Sequence, residues 1–99
     1  MIIEISLGAE RDLEDGYWFY ERQSTGLGDY FRSCIISDIE ALAYFGGIHP
    51  MVHGFHRSLS KRFPFGIYYE RIDQSILIVA VLDLRSKPSW TRETLDGRQ

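Results

Sequence analysis

The chain has 99 residues, of which 44% are hydrophobic, 14% aromatic and 25% charged, proportions that fit one folded domain and exclude a disordered chain or a second core. Its single cysteine, Cys34, excludes an internal disulfide framework and a cysteine-rich zinc site. A formal charge of −3 excludes a strongly basic nucleic-acid binder.

Ile2, Ile3 and Ile5 make a short β-prone start. Ser6 then offers a helix N-cap, with Glu10 and Asp12 placed to favour the helix dipole. Ala9, Leu13, Gly16, Tyr17 and Tyr20 recur at helical spacing, which predicts a helix over about 7–24 with Gly26 as its terminating C′ residue. A second stripe, Leu27, Phe31, Cys34, Ile35, Asp38, Ile39 and Leu42, predicts a helix over about 28–45, stopped by Gly46-Gly47 and Pro50. Asp38 is the only acid on that stripe, and Cys34 reads as a small core residue. The short connection between the two helices requires an antiparallel hairpin.

After Pro50 the period changes to two. Phe55, Arg57 and Leu59 share one face of a strand, with His56 and Ser58 opposite. Phe65, Ile67 and Tyr69 alternate with Gly66, Tyr68 and Glu70 in the next strand, and Pro64 marks its start or an edge. Asp73-Gln74-Ser75 reads as a hairpin loop. The run Ile76 to Leu82 is apolar on both faces, as a central strand requires, and is far too short for a membrane helix of ~20 residues. Pro88 opens a short helix or turn. The expected fold is α+β, ordered β-α-α-β-β-β, with a helical hairpin on one face of a mostly antiparallel sheet. A single domain is expected over 1–93, followed by a flexible tail over 94–99. No signal-peptide pattern opens the chain, and a soluble, cytoplasmic protein is expected.

The net charge conceals an asymmetry. Residues 1–50 carry three arginines against nine acids, whereas residues 51–99 carry eight basic residues against five acids. His49, His53 and His56 have neither a continuous helix nor acidic or thiol neighbours to make a metal site, so no metal and no cofactor is expected. The cations of the second half are the candidate functional groups. Arg57 lies on a strand, Lys61 and Arg62 precede Phe63-Pro64-Phe65, and Arg85, Lys87 and Arg92 follow the central strand. Antiparallel pairing can gather these near Tyr68, Tyr69 and Trp90. Such a set can hold phosphates and stack bases, clamp a carboxylate-rich partner, or lie solvated. RNA cleavage also needs a base and an acid. Arginine is a poor base, and spacing forces no pair of Lys61, the histidines, Tyr68, Tyr69 and Asp83 together.

In order, Tyr20-Glu21, Gly26-Leu27-Gly28, Phe31, Arg57, Arg62 to Tyr69, Ile78 to Leu82, Arg85, Pro88 and Trp90 resemble the RelE/ParE superfamily of type II toxin–antitoxin toxins. The resemblance implies a toxin held by a cognate antitoxin that wraps it with helices or a strand. It also implies one of two mechanisms. ParE-like members bind and poison DNA gyrase, whereas RelE-like members cut mRNA on the ribosome. For the nuclease alternative, Lys61, Arg62 and Arg85 match the family's basic catalytic positions, with Arg57, Tyr69 and Trp90 as substrate-binding residues. Many relatives carry histidine where Asp83 stands. A carboxylate there neutralises Arg85 and repels phosphate, which favours the ParE-like expectation or an inert relative that still binds an antitoxin.

Overall fold

The computed structural model describes residues 1–99. Strand β1 spans Ile2–Ile5, followed by helices α1 (Leu7–Glu21) and α2 (Leu27–Phe45). Strands β2 (Met51–Val52), β3 (Phe55–Leu59), β4 (Phe65–Ile72) and β5 (Ser75–Asp83) follow, and α3 (Pro88–Asp96) closes the chain. The sheet order is β1-β5-β4-β3-β2, with β1 parallel to β5 and every other pairing antiparallel. The expected α+β architecture is therefore present, with one small additional strand and a helix on the second face.

Ser6 caps α1 as its position suggested, its side chain accepting from the Ala9 amide at 3.1 Å. The end of α1 differs from expectation. The helix stops at Glu21 rather than near residue 24, and Gly26 is the N-cap of α2 rather than the C′ residue of α1. The cause is the Glu21 carboxylate, which accepts from the Gly26 amide at 3.1 Å and the Gly28 amide at 3.0 Å. An anion thereby sits on the free amides and positive dipole end of α2. The hairpin is tight at Gly28, where a Cβ would stand 2.7 Å from the Tyr17 carbonyl oxygen. Because that obstacle is backbone, Gly28→Ala is expected to cost about 1–3 kcal/mol of overpacking, read as a lower urea midpoint at unchanged m-value.

The hairpin packs Ala9, Leu13, Tyr20, Phe31, Ile35, Ile39 and Leu42 against Phe65, Ile67, Tyr69, Ile76, Ile78 and Val81 of the sheet. A second, smaller core lies on the opposite face, where Leu95 of α3 meets Phe55, Tyr68, Val79, Ala80 and Leu82. Residues of β5 serve both cores because side chains of a central strand alternate between its faces, and a bulge shifts the phase of that alternation part-way along. Tyr68 pairs with Ala80 and Tyr69 with Ile78, leaving Val79 as the extra residue. The bulge reverses the alternation, so Ile76 and Ile78 before it and Val81 after it face the same helices.

Residues 94–99 are not the free tail expected. Leu95 is fully buried, and α3 runs to Asp96. Arg98 then binds Asp12 through both terminal nitrogens, with Nη2 2.8 Å from Oδ1. Arg98 Nη1 also donates to the Val79 carbonyl at 2.9 Å, while Asp12 accepts the Val81 amide at 2.9 Å. Strand β1 pairs β5 only as far as Ile78. The ion pair satisfies the edge of β5 beyond it, where no strand continues. His53 sits at φ 51° in the turn that joins β2 to β3, with Gly54 at φ 88°. No helix is long and apolar enough to cross a membrane.

Candidate functional site

Lys61 and Arg62 lie in the loop joining β3 to β4, and Asp38 fixes that loop. Asp38, the one acid on the apolar stripe of α2, accepts the Ser60 hydroxyl at 2.9 Å and the Lys61 amide at 3.3 Å. Phe63 then anchors the loop by packing its ring against Tyr20, Tyr30 and Phe31, at centroid distances of 4.9, 5.7 and 5.1 Å. Lys61 and Arg62 are exposed, and neither makes a salt bridge. With Tyr30, Ser33, Ser37 and Asp38 they line an open depression of about 310 Å³. Cys34 also lines it and is only half-buried, so it is not the core residue expected.

Arg85 occupies a different setting. Its Nε and Nη2 donate to Asp83 Oδ1 and Oδ2 at 3.0 and 2.7 Å, and its backbone amide donates to Oδ1 at 2.8 Å. Nη2 also reaches the Tyr20 hydroxyl at 3.4 Å. Arg62 Nη1 contacts the Tyr30 hydroxyl at 3.4 Å. The two arginines therefore stand at opposite ends of the ring row Tyr30, Phe63, Tyr20.

The titration of this neighbourhood follows from the geometry. The hydrogen bonds from Arg85 hold the Asp83 carboxyl below its usual range, and Asp83 in turn raises the Arg85 guanidinium above its own. Burial raises the Tyr20 hydroxyl; Asp83 adds to the rise and Arg85 opposes it. None of these three groups is poised to exchange a proton near neutral pH. Asp83 contributes stability that is complete above its unfolded pKa near 4 and is lost as pH falls through its lower folded value. A carboxyl-carbon NMR titration should place the Asp83 midpoint below that of an unstructured aspartate. Asp83→Asn should remove the corresponding part of the acid-side loss of stability.

The remaining candidates do not join this pair. Arg57 projects from the α3 face of the sheet, opposite Tyr68, into a small cavity shared with His53, Ser86, Pro88 and Thr91. Trp90 of α3 is 48% exposed and lines a groove of about 400 Å³ with Phe19, Asp15, Asp83 and Arg98. Tyr69 is fully buried in the core, so it offers no stacking surface to a substrate. The structure thus brings Lys61 and Arg62 together, and separates Arg57, Arg85 and Trp90 from them. Sequence reasoning missed Tyr20 as the ring that Arg85 touches and Asp38 as the anchor of the cationic loop. The isolated acid on the apolar stripe of α2 was the available signal for Asp38.

The architecture defines an α+β class in which a helical hairpin and a C-terminal helix cover opposite faces of one five-stranded sheet. A chain of the chromosomal ParDE TA system from P. aeruginosa has a similar fold, with a TM-score of 0.70 and 20% sequence identity over 86% of this chain and 97% of that one. No protein-family model matches the chain, and no curated protein matches it in sequence. That likeness shows the fold alone, the α+β arrangement expected from the sequence.

Proposed function

We propose that this chain is the toxin of a type II toxin–antitoxin pair. In this reading it arrests growth in the bacterial cytoplasm by binding a protein target, DNA gyrase, in the ParE manner, and a cognate antitoxin neutralises it. The fold shared with a ParDE chain supports the general class. The observation that favours binding over RNA cleavage is the bidentate Asp83–Arg85 pair. A cation needed on a scissile phosphate is already occupied by a carboxylate of its own chain, which would also repel the phosphate. The second reading, a ribosome-dependent mRNA endoribonuclease, draws on Lys61 and Arg62, exposed side by side and free of carboxylate partners.

The test is induction of the chain alone in a bacterial host with pulse-labelling of DNA and protein synthesis. Purified protein is assayed in parallel for inhibition of gyrase supercoiling. An early halt in DNA synthesis with inhibited supercoiling is the expected result. An early halt in protein synthesis with DNA synthesis intact overturns it in favour of the nuclease. A folded protein with no effect on growth and no action on gyrase points to an inert relative that retains antitoxin binding.

A further inference from the structure

The loop from Gly46 to Pro50 carries the chain from the end of α2 to β2; the Arg57 amide of β3 holds its Pro50 end at 2.9 Å, and three further polar contacts, centred on Tyr69 and His49, tie the rest of it to the sheet. The Gly47 amide donates to the Tyr69 hydroxyl at 2.8 Å. The same hydroxyl lies 2.5 Å from His49 Nδ1. His56 Nδ1 lies 2.7 Å from the His49 carbonyl oxygen. The rings are packed as well as bonded. His56 stacks on Tyr69 at 5.1 Å, and His49 meets it edge-on at 5.6 Å.

These contacts fix the protons. The Tyr69 oxygen accepts from Gly47, and His49 Nδ1 is the one acceptor its own hydrogen meets, so the arrangement that satisfies the buried hydroxyl has Nδ1 unprotonated and the His49 hydrogen on Nε2. A carbonyl oxygen only accepts, so His56 must carry a hydrogen on Nδ1. The two histidines are therefore opposite tautomers.

We propose that His49, Tyr69 and His56 form a proton-operated latch that holds the Gly46–Pro50 loop shut at neutral pH and releases it in acid. Protonating His49 places a second donor on the Tyr69 oxygen and leaves the buried hydroxyl hydrogen without an acceptor. Protonating His56 keeps its Nδ1 donor, so His49 is the operative group. Burial, and then the charge of His56, lower the His49 pKa, which agrees with a neutral ring in the closed loop. The other charged groups around the loop do not all oppose protonation. Asp38 of α2 shares a shallow cavity with His49 and favours it, whereas Lys61 in that cavity and Arg71 of β4, which lies against Gly47, disfavour it. Gly47 itself sits at φ 100°, which glycine adopts without the strain a side chain would bring, so the loop takes this shape at little backbone cost and the latch contacts hold it in place. Opening would remodel the apolar surface of Phe45 and Ile48, which are 58% and 74% exposed. This device stands apart from toxicity and does not depend on the target.

The linkage has a definite sign. The open loop binds a proton at the ordinary histidine value near 6.5 and the closed loop only at a lower pH, so closure weakens as pH falls between the two. Hydrogen exchange at the Gly47 amide, corrected for intrinsic rate, should show opening that increases by up to about tenfold per pH unit in that window. His49→Asn keeps an acceptor but cannot titrate, and should flatten the profile. In the wild-type protein, ¹⁵N spectra should place the His49 hydrogen on Nε2, the His56 hydrogen on Nδ1, and the His49 midpoint below 6.5. A hydrogen on His49 Nδ1 at neutral pH, a midpoint at or above 6.5, or an unchanged slope in His49→Asn overturns the latch. The wild-type spectra decide the matter even where the variant fails to fold.

Discussion

Replacing Arg98 by alanine is expected to lower stability by about 2 kcal/mol, less than the ~3–5 kcal/mol for breaking a fully buried ion pair because this one is only partly buried, which in a chain of this length lowers Tm by about 8–16 °C. The Asp12 side chain retains only 10% of its exposure and Arg98 21%, so neither can be rehydrated freely when the other is lost. The substitution also removes the 2.9 Å donor to the Val79 carbonyl at the unpaired edge of β5, leaving it only the Ser6 hydroxyl at 3.4 Å. Asp12 keeps the Val81 amide, which limits the loss. Removing residues 97–99 should cost as much as Arg98→Ala. If those residues formed a free tail, neither change would move the thermal midpoint. Asp12→Asn combined with Arg98→Ala should recover part of the loss, because the pair then leaves no uncompensated charge.

Replacing Arg62 and Arg85 together by alanine should leave growth arrest within about twofold of wild type, whereas a nuclease would lose about 10²–10³-fold for each donor to developing charge that it gave up. Survival after induction, measured beside mapping of mRNA cleavage ends, reads the difference. The expectation rests on Arg85 being held by Asp83 in a geometry that satisfies Nε and Nη2 at once. A collapse of toxicity in the double variant, with cleavage ends present in wild type and absent in the variant, would reverse the ranking of the two mechanisms.

Much of the molecule was legible in periodicity. The two helical stripes, the alternation in β3 and β4, and the doubly apolar run of β5 all formed where their spacing placed them, because burying those faces is the main driving force for such a chain. The boundary errors arose where a side chain from elsewhere intervened. Glu21 took over the N-terminus of α2 and made Gly26 its cap, which no local propensity reveals. Asp83 beside Arg85 could be anticipated, since the two are separated by one residue and their charges are opposite. The placement of Tyr69 could not be anticipated. Alternation assigns it to a face, but only the hairpin above it decides that the face is sealed.

The sequence by itself determined the class of fold, the order of the elements and the charge asymmetry between the halves, because each follows from contacts within a few residues or from composition. Tertiary structure alone decided what meets across 20 to 86 residues: Asp12 with Arg98, Tyr69 with His49, and Asp38 with the cationic loop. It also dispersed cations that spacing allowed to gather. Side chains distant in sequence are brought together by packing of whole elements, and the direction in which each then points depends on the bulge in β5, the hairpin angle and the docking of α3. None of these is written in local pattern.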